Sequence, residues 1–125
     1  MVETARKDPV KIHKEGTALY EQGKYKEAMD KFLEASQLYE KAQNIFDASY
    51  TMYKAGESIF MLKDYKTATE NFLKAAELAF GKGFDRFGIS AWEYAVDCYK
   101  ATGEEEKAKE LKKKVQEAKA KASAM

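Results

Sequence analysis

One cysteine, one proline and one histidine are all that 125 residues contain of three residue types that carry much of protein chemistry. With Cys98 alone, no intramolecular disulfide can form, and zinc sites built on several thiolates are excluded. A single histidine, His13, rules out a His–His pair, and nothing in the spacing sets it beside Cys98. Charge is also nearly absent in net terms. Twenty-two basic residues meet 21 acidic ones, a formal +1, so no global field draws nucleic acid or an acidic membrane. Apolar runs are short, and no stretch nears the eighteen or so residues of a membrane span. The start, "MVETARKDPVK", lacks the apolar centre of a secretory signal, so a cytoplasmic location is expected by default.

What is present is alanine, lysine, glutamate and aromatic residues, a composition that favours helices packed through rings. An apolar fraction of 45% and a charged fraction of 34% fit one soluble globular domain spanning residues 1–125. The chain also repeats itself. "GKYKEAMDKFLEA" from Gly23 is echoed by "KDYKTATENFLKA" from Lys63, an offset of 40 residues. The same 40 separates Gly16 from Gly56, Tyr25 from Tyr65, Ala28 from Ala68, Phe32 from Phe72 and Ala35 from Ala75. A third, degenerate copy keeps Ala108 but has Glu105 for the tyrosine and Lys112 for the phenylalanine.

Each unit reads as two helices. Asp8-Pro9 is an N-cap followed by proline in the first helical position. The spacing predicts helices near 9–22, 25–43, 46–62, 65–82, 86–102 and 104–123, grouped into units of about 9–43, 46–82 and 86–123. Residues 1–8 are expected to be a flexible N-terminus. Ala28 and Ala68 are predicted where the helices of a unit cross, with Gly16 and Gly56 serving the same close approach. Phe32 and Phe72 are predicted to fill the space between units, and Gly81 with Gly83 to end the fourth helix. The last helix carries a narrow stripe of Ala108, Leu111, Val115 and Ala118. Its seven lysines and five glutamates between 104 and 121 read as the solvated face of a cap, not as a nucleic-acid site.

These residues resemble the tetratricopeptide repeat, with its W-x2-L-G-x2-Y, A-x3-F and closing proline. The tryptophan position holds Ile12, Met52 and Trp92. The Leu-Gly pair becomes Glu15-Gly16, Ala55-Gly56 and Ala95-Val96, and the tyrosine position Leu19, Ile59 and Tyr99. Ala-x3-Phe is Ala28/Phe32 and Ala68/Phe72. The closing proline is absent, its places taken by Glu40, Phe80 and Ala120, and the period is 40 against the family's roughly 34. The six extra residues are worth about 9 Å of helix per unit, a geometry similar to the longer repeats of kinesin light chains and of the soluble attachment proteins of membrane fusion. The resemblance implies an all-α fold: a right-handed superhelical stack of three hairpins, six antiparallel helices, with the last helix a polar cap.

The resemblance also implies a concave groove lined by the first helix of each unit. Its candidate residues are His13, Thr17, Tyr20 and Glu21; then Tyr50, Tyr53, Lys54, Glu57 and Phe60; then Glu93, Tyr94 and Asp97. Val10, Met61, Ser90 and Lys100 lie on the same mapped face. Aromatic side chains with scattered charge suit protein recognition. Members of the family that hold chaperone C-terminal tails use a clamp of lysines, asparagines and an arginine. Here those positions hold His13, Thr17, Lys54, Ser90 and Tyr94, so chaperone tails are not an expected ligand. Glu21, Glu57, Glu93 and Asp97 point instead to a basic or apolar protein ligand.

No catalytic constellation, metal site or cofactor motif emerges. "GKGFDRFG" lacks the Gly-Lys-Ser/Thr ending of a phosphate loop and follows a helix. Cys98 falls where earlier units have Ala18 and Ser58, as a packed small residue would. The expected function is a non-catalytic protein-interaction module or scaffold, with no nucleic acid or membrane among its partners. The second reading is a homo-oligomer that associates through exposed helix faces.

Overall fold

A computed structural model describes residues 7–124, and within them every regular element is a helix. They are α1 (Pro9–Glu21), α2 (Tyr25–Lys41), α3 (Ile45–Phe60), α4 (Tyr65–Gly81), α5 (Asp85–Ala101) and α6 (Glu105–Ser123). Residues 1–6 of the segment expected to be flexible lie outside the described residues. Lys7 and Asp8 are placed: Asp8 caps α1 by accepting from the Val10 N–H at 3.0 Å, and Lys7 pairs with Glu34 of α2 at 2.6 Å.

The ends of the helices depart by one or two residues from the periodicity's boundaries, and one device explains the loops. Gly23, Gln43, Lys63, Gly83 and Gly103 all have φ between 63° and 80°. Their numbers differ by 20, so the backbone repeats at half the sequence period. At each, the left-handed residue's N–H returns to a carbonyl three residues back. The next N–H returns to one five residues back, as Lys24 does to Leu19 at 2.9 Å and Glu104 to Tyr99 at 2.8 Å. Five turns therefore share one motif, the Schellman helix stop. Gln43 ends α2 at Lys41, short of the predicted boundary, although it is not glycine. Gly83 supplies the left-handed turn after α4, while Gly81 is only its last helical residue.

The residue after each left-handed position also opens the next helix. The carbonyls of Lys24, Asn44, Asp64, Phe84 and Glu104 accept from Ala28, Ala48, Ala68, Gly88 and Ala108 at 2.9–3.0 Å. Those five small residues are buried. A connection this short turns each helix back against its predecessor, and the main packing runs α1 on α2, α2 on α3, and so on to α6. The result is a stack of helical hairpins, with α1, α3 and α5 forming one layer and α2, α4 and α6 the other.

Two fully buried rings, Phe32 and Phe72, anchor the hairpins, each contributing about 1.5–3 kcal/mol by burial. Each packs first within its own unit, against the glycine of the preceding helix. A Cβ at Gly16 would lie 2.9 Å from the Phe32 ring, and one at Gly56 2.9 Å from the Phe72 ring. These glycines make hollows for the rings. Phe72 also reaches the next unit, stacking on Tyr94 at 4.6 Å with planes 4° apart. The join between units uses another ring: Phe80 of α4 fills the hollow of Gly88 and lies 4.4 Å from Trp92. Buried hydroxyls fix the helix pairs at single points. Ser36 donates to the Ala48 carbonyl at 2.7 Å, and Ser49 to that of Ala75 at 2.9 Å.

α6 closes the stack because its outward side is polar. Thr69, Leu73, Ala76 and Phe80 lie on the side of α4 that meets α5; forty residues on they become Lys109, Lys113, Gln116 and Ala120, all exposed. Ala108, Leu111 and Val115 face inward and are buried.

Candidate functional site

The layer of α1, α3 and α5 carries the predicted groove residues on elements held by the packing just described. Their rings are neither free nor fully buried. His13 meets Phe32 at 5.8 Å, Tyr39 at 6.3 Å and Tyr50 at 5.8 Å, so the imidazole rests among three rings from α2 and α3. Tyr53 touches Phe72 at 5.5 Å and Tyr94 at 5.6 Å, and Phe60 touches Tyr65 at 5.3 Å and Tyr94 at 5.7 Å, all edge to face. The aromatic side chains of this layer thus pack across the stack while keeping part of their surface open.

At the centre of this surface lies a polar group. Lys54 pairs with Glu57 at 2.8 Å, and the Tyr94 hydroxyl donates to Glu57 at 3.3 Å. The Lys54 ammonium also stands 5.1 Å over the Tyr20 ring, within cation–π range. Burial alone would lower the Lys54 pKa, but the hydrogen bond and charge of Glu57 raise it above the ordinary value. Burial first, and Glu57 second, raise the phenols of Tyr53 and Tyr94. His13 moves the other way: burial lowers its pKa, against a smaller opposing pull from Asp47.

The structure therefore brings together His13, Tyr20, Tyr50, Tyr53, Lys54, Glu57, Phe60 and Tyr94. It sets four predicted residues apart. Thr17 and Glu21 are exposed on α1, and the Thr17 hydroxyl donates to its own helix at the His13 carbonyl, 3.2 Å away. Glu93 and Asp97 line an open cleft of about 420 Å³ between α5 and α6, with Lys100, Lys112 and Lys119. There Glu93 pairs with Lys119 at 2.7 Å.

The mapped face omitted three residues that extend the aromatic surface. Phe87 lies 4.9 Å from Tyr53 and 6.0 Å from Tyr50, and Phe46 lies 5.9 Å from Phe87 and 5.2 Å from Phe84. Phe46 and Phe84 are 45% and 38% exposed, which makes them the open rim of the cluster. The signal for Phe46 was its spacing of four from Tyr50. Phe84 sits in a turn and had none.

Elsewhere the chemistry is quiet. Cys98 is fully buried, and burial pushes its thiol up to about 11, so it is a poor nucleophile. Among the described residues no cluster of His, Cys, Asp and Glu is placed to hold a metal, and no helix is long and apolar enough to cross a membrane. No protein-family model, no curated protein and no solved structure matches the chain.

Proposed function

We propose that this chain is a non-catalytic, tetratricopeptide-like interaction module that binds a segment of a partner protein along the α1–α3–α5 layer. One observation supports this best: a run of half-open aromatic side chains from His13 to Phe60, which the exposed Phe46–Phe84 pair joins through Phe87. Rigid rings with few rotatable bonds offer contact area at small entropic loss, which suits recognition of an apolar anchor. The polar outward side of α6 makes extension of the stack at that end unfavourable, which weighs against self-association there.

The test is affinity capture from extracts of cells that express the protein, read by mass spectrometry. Wild type is compared with Phe46→Ser/Phe84→Ser, whose positions are open enough for the fold to survive. Loss of a captured protein in the variant, with an unchanged circular-dichroism spectrum, supports the assignment. Undiminished capture rejects it. Sedimentation of the free protein over a concentration series checks the second reading, since concentration-dependent growth in mass would favour assembly of copies.

A further inference from the structure

We infer that Tyr20, Lys54, Glu57 and Tyr94 form a clasp that sets the spacing of α1, α3 and α5. Consecutive helices hold one another by broad apolar packing, but these three are separated in the chain by α2 and α4. Their mutual distances depend on side chains that cross directly from one to the next. Most of the crossings are ring against ring, as His13 on Tyr50 or Tyr53 on Phe87, at 4.9–5.8 Å. Such contacts have broad minima and allow the helices to slide or part by a fraction of an ångström.

The polar crossings differ in kind: the one from α3 to α5 is a hydrogen bond, lost once its atoms part beyond about 3.5 Å, and the one from α3 to α1 sets a charge over a ring. Glu57 takes Lys54 from its own helix at 2.8 Å and Tyr94 from α5 at 3.3 Å. Lys54 in turn covers Tyr20 of α1. One carboxylate and one ammonium on α3 thereby bind both neighbouring helices of the layer. Their side chains are only 23% and 20% exposed, lower than those of any other ion pair among the described residues. Partial burial weakens screening by salt and makes loss of either partner expensive for the one left behind.

This spacing is a property of the free chain. Its consequence, that the clasp fixes the width of the surface offered to a partner, rests on the function proposed above. The two are separable, because spacing is measured without any partner.

Spin labels at Lys14→Cys and Lys100→Cys, both exposed, in a Cys98→Ser background report the distance from α1 to α5 by pulsed electron resonance. Lys54→Met should shift the distribution to longer distance and broaden it, while the far-UV spectrum stays that of the labelled parent. Lys54→Arg should keep the parent distribution. A Lys54→Met distribution that superimposes on the parent overturns the inference. Should Lys54→Met lose the parent's far-UV spectrum, Tyr94→Phe is read by the same criterion. It removes one hydroxyl and leaves the ring stacked on Phe72.

Discussion

Gly56→Ala tests how the hairpins are packed, because two known effects oppose each other at that position. Alanine is favoured over glycine in a helix interior by about 1 kcal/mol. Against this, the new Cβ would lie 2.9 Å from one Phe72 ring carbon and 3.0 Å from two others. Comfortable carbon contacts are about 3.5–4.0 Å, so the ring must retreat by roughly 0.5–1 Å. It has nowhere to go, being fully buried with Tyr94 stacked on it at 4.6 Å. Overpacking of this kind costs about 1–3 kcal/mol, so the net loss should be about 1 kcal/mol and can reach about 2.

The control is Gly81→Ala, the same chemical change at the end of α4, where nothing lies within 4 Å of the added carbon. It should be neutral or stabilise by up to about 1 kcal/mol. Urea unfolding followed by circular dichroism reads both, with an unchanged slope as the check that only stability moved. In Gly56→Ala, adding Phe72→Leu should do less harm than the same change does alone, a coupling of about 1 kcal/mol. If Gly56→Ala raises the urea midpoint as much as Gly81→Ala does, the hollow at Gly56 is not what admits the Phe72 ring.

Other outcomes follow from the same geometry. Gln43→Gly and Lys63→Gly should each stabilise by about 0.5 kcal/mol, since the left-handed backbone strains them by about 1–2 kcal/mol and glycine's extra freedom when unfolded returns about half; lower urea midpoints for both would contradict the shared turn. Asn71 is buried with an unpartnered side-chain amide nitrogen where the third unit has Leu111, so Asn71→Leu should raise stability by about 1 kcal/mol. A thermal midpoint lowered by that change would count against the orphaned group. His13 has its pKa lowered by folding, so the unfolded chain takes its proton first. Stability should therefore be full above the ordinary histidine pKa of about 6.5 and decline as pH falls through the folded value. His13→Gln should flatten the urea midpoint between about pH 7 and 5, above the main carboxylate range; an unchanged decline would assign it to other groups.

The hairpin stack was legible because Ala28/Ala68, Phe32/Phe72 and Ala35/Ala75 repeat at one spacing and sit on helical faces. The shorter backbone period was hidden. Large residues differ between the two layers, as Phe32, Met52, Phe72 and Trp92 do at successive steps of 20. Only small residues such as Ala35, Ala55, Ala75 and Ala95 carry it, and two of the five left-handed positions are not glycine. Most of the aromatic face was legible from the resemblance, which implies a surface on the first helix of each unit, although its residues, such as His13, Tyr53 and Glu93, differ from copy to copy. Whether its rings touch was not, because the contacts join residues roughly 40 apart in the chain, as His13 to Tyr50 and Tyr53 to Tyr94, which helical periodicity does not register. Tyr53, a groove candidate by its place on that face, is wedged between Phe72, Phe87 and Tyr94.

The turns leave the chain no slack. Lys24, Asn44, Asp64, Phe84 and Glu104 each terminate one helix with their N–H and initiate the next with their carbonyl. One inserted residue there must break one of those two bonds, and one added inside a helix turns everything beyond it by about 100°. Length can change without such damage only by whole periods, and a single period of 20 would exchange the two layers. A stack of this kind should therefore lengthen by duplication of 40 residues in its interior, at a joint such as that between Gln43 and Asn44. Beyond α6, where Lys109 and Lys113 point outward, a further copy would find nothing to pack against.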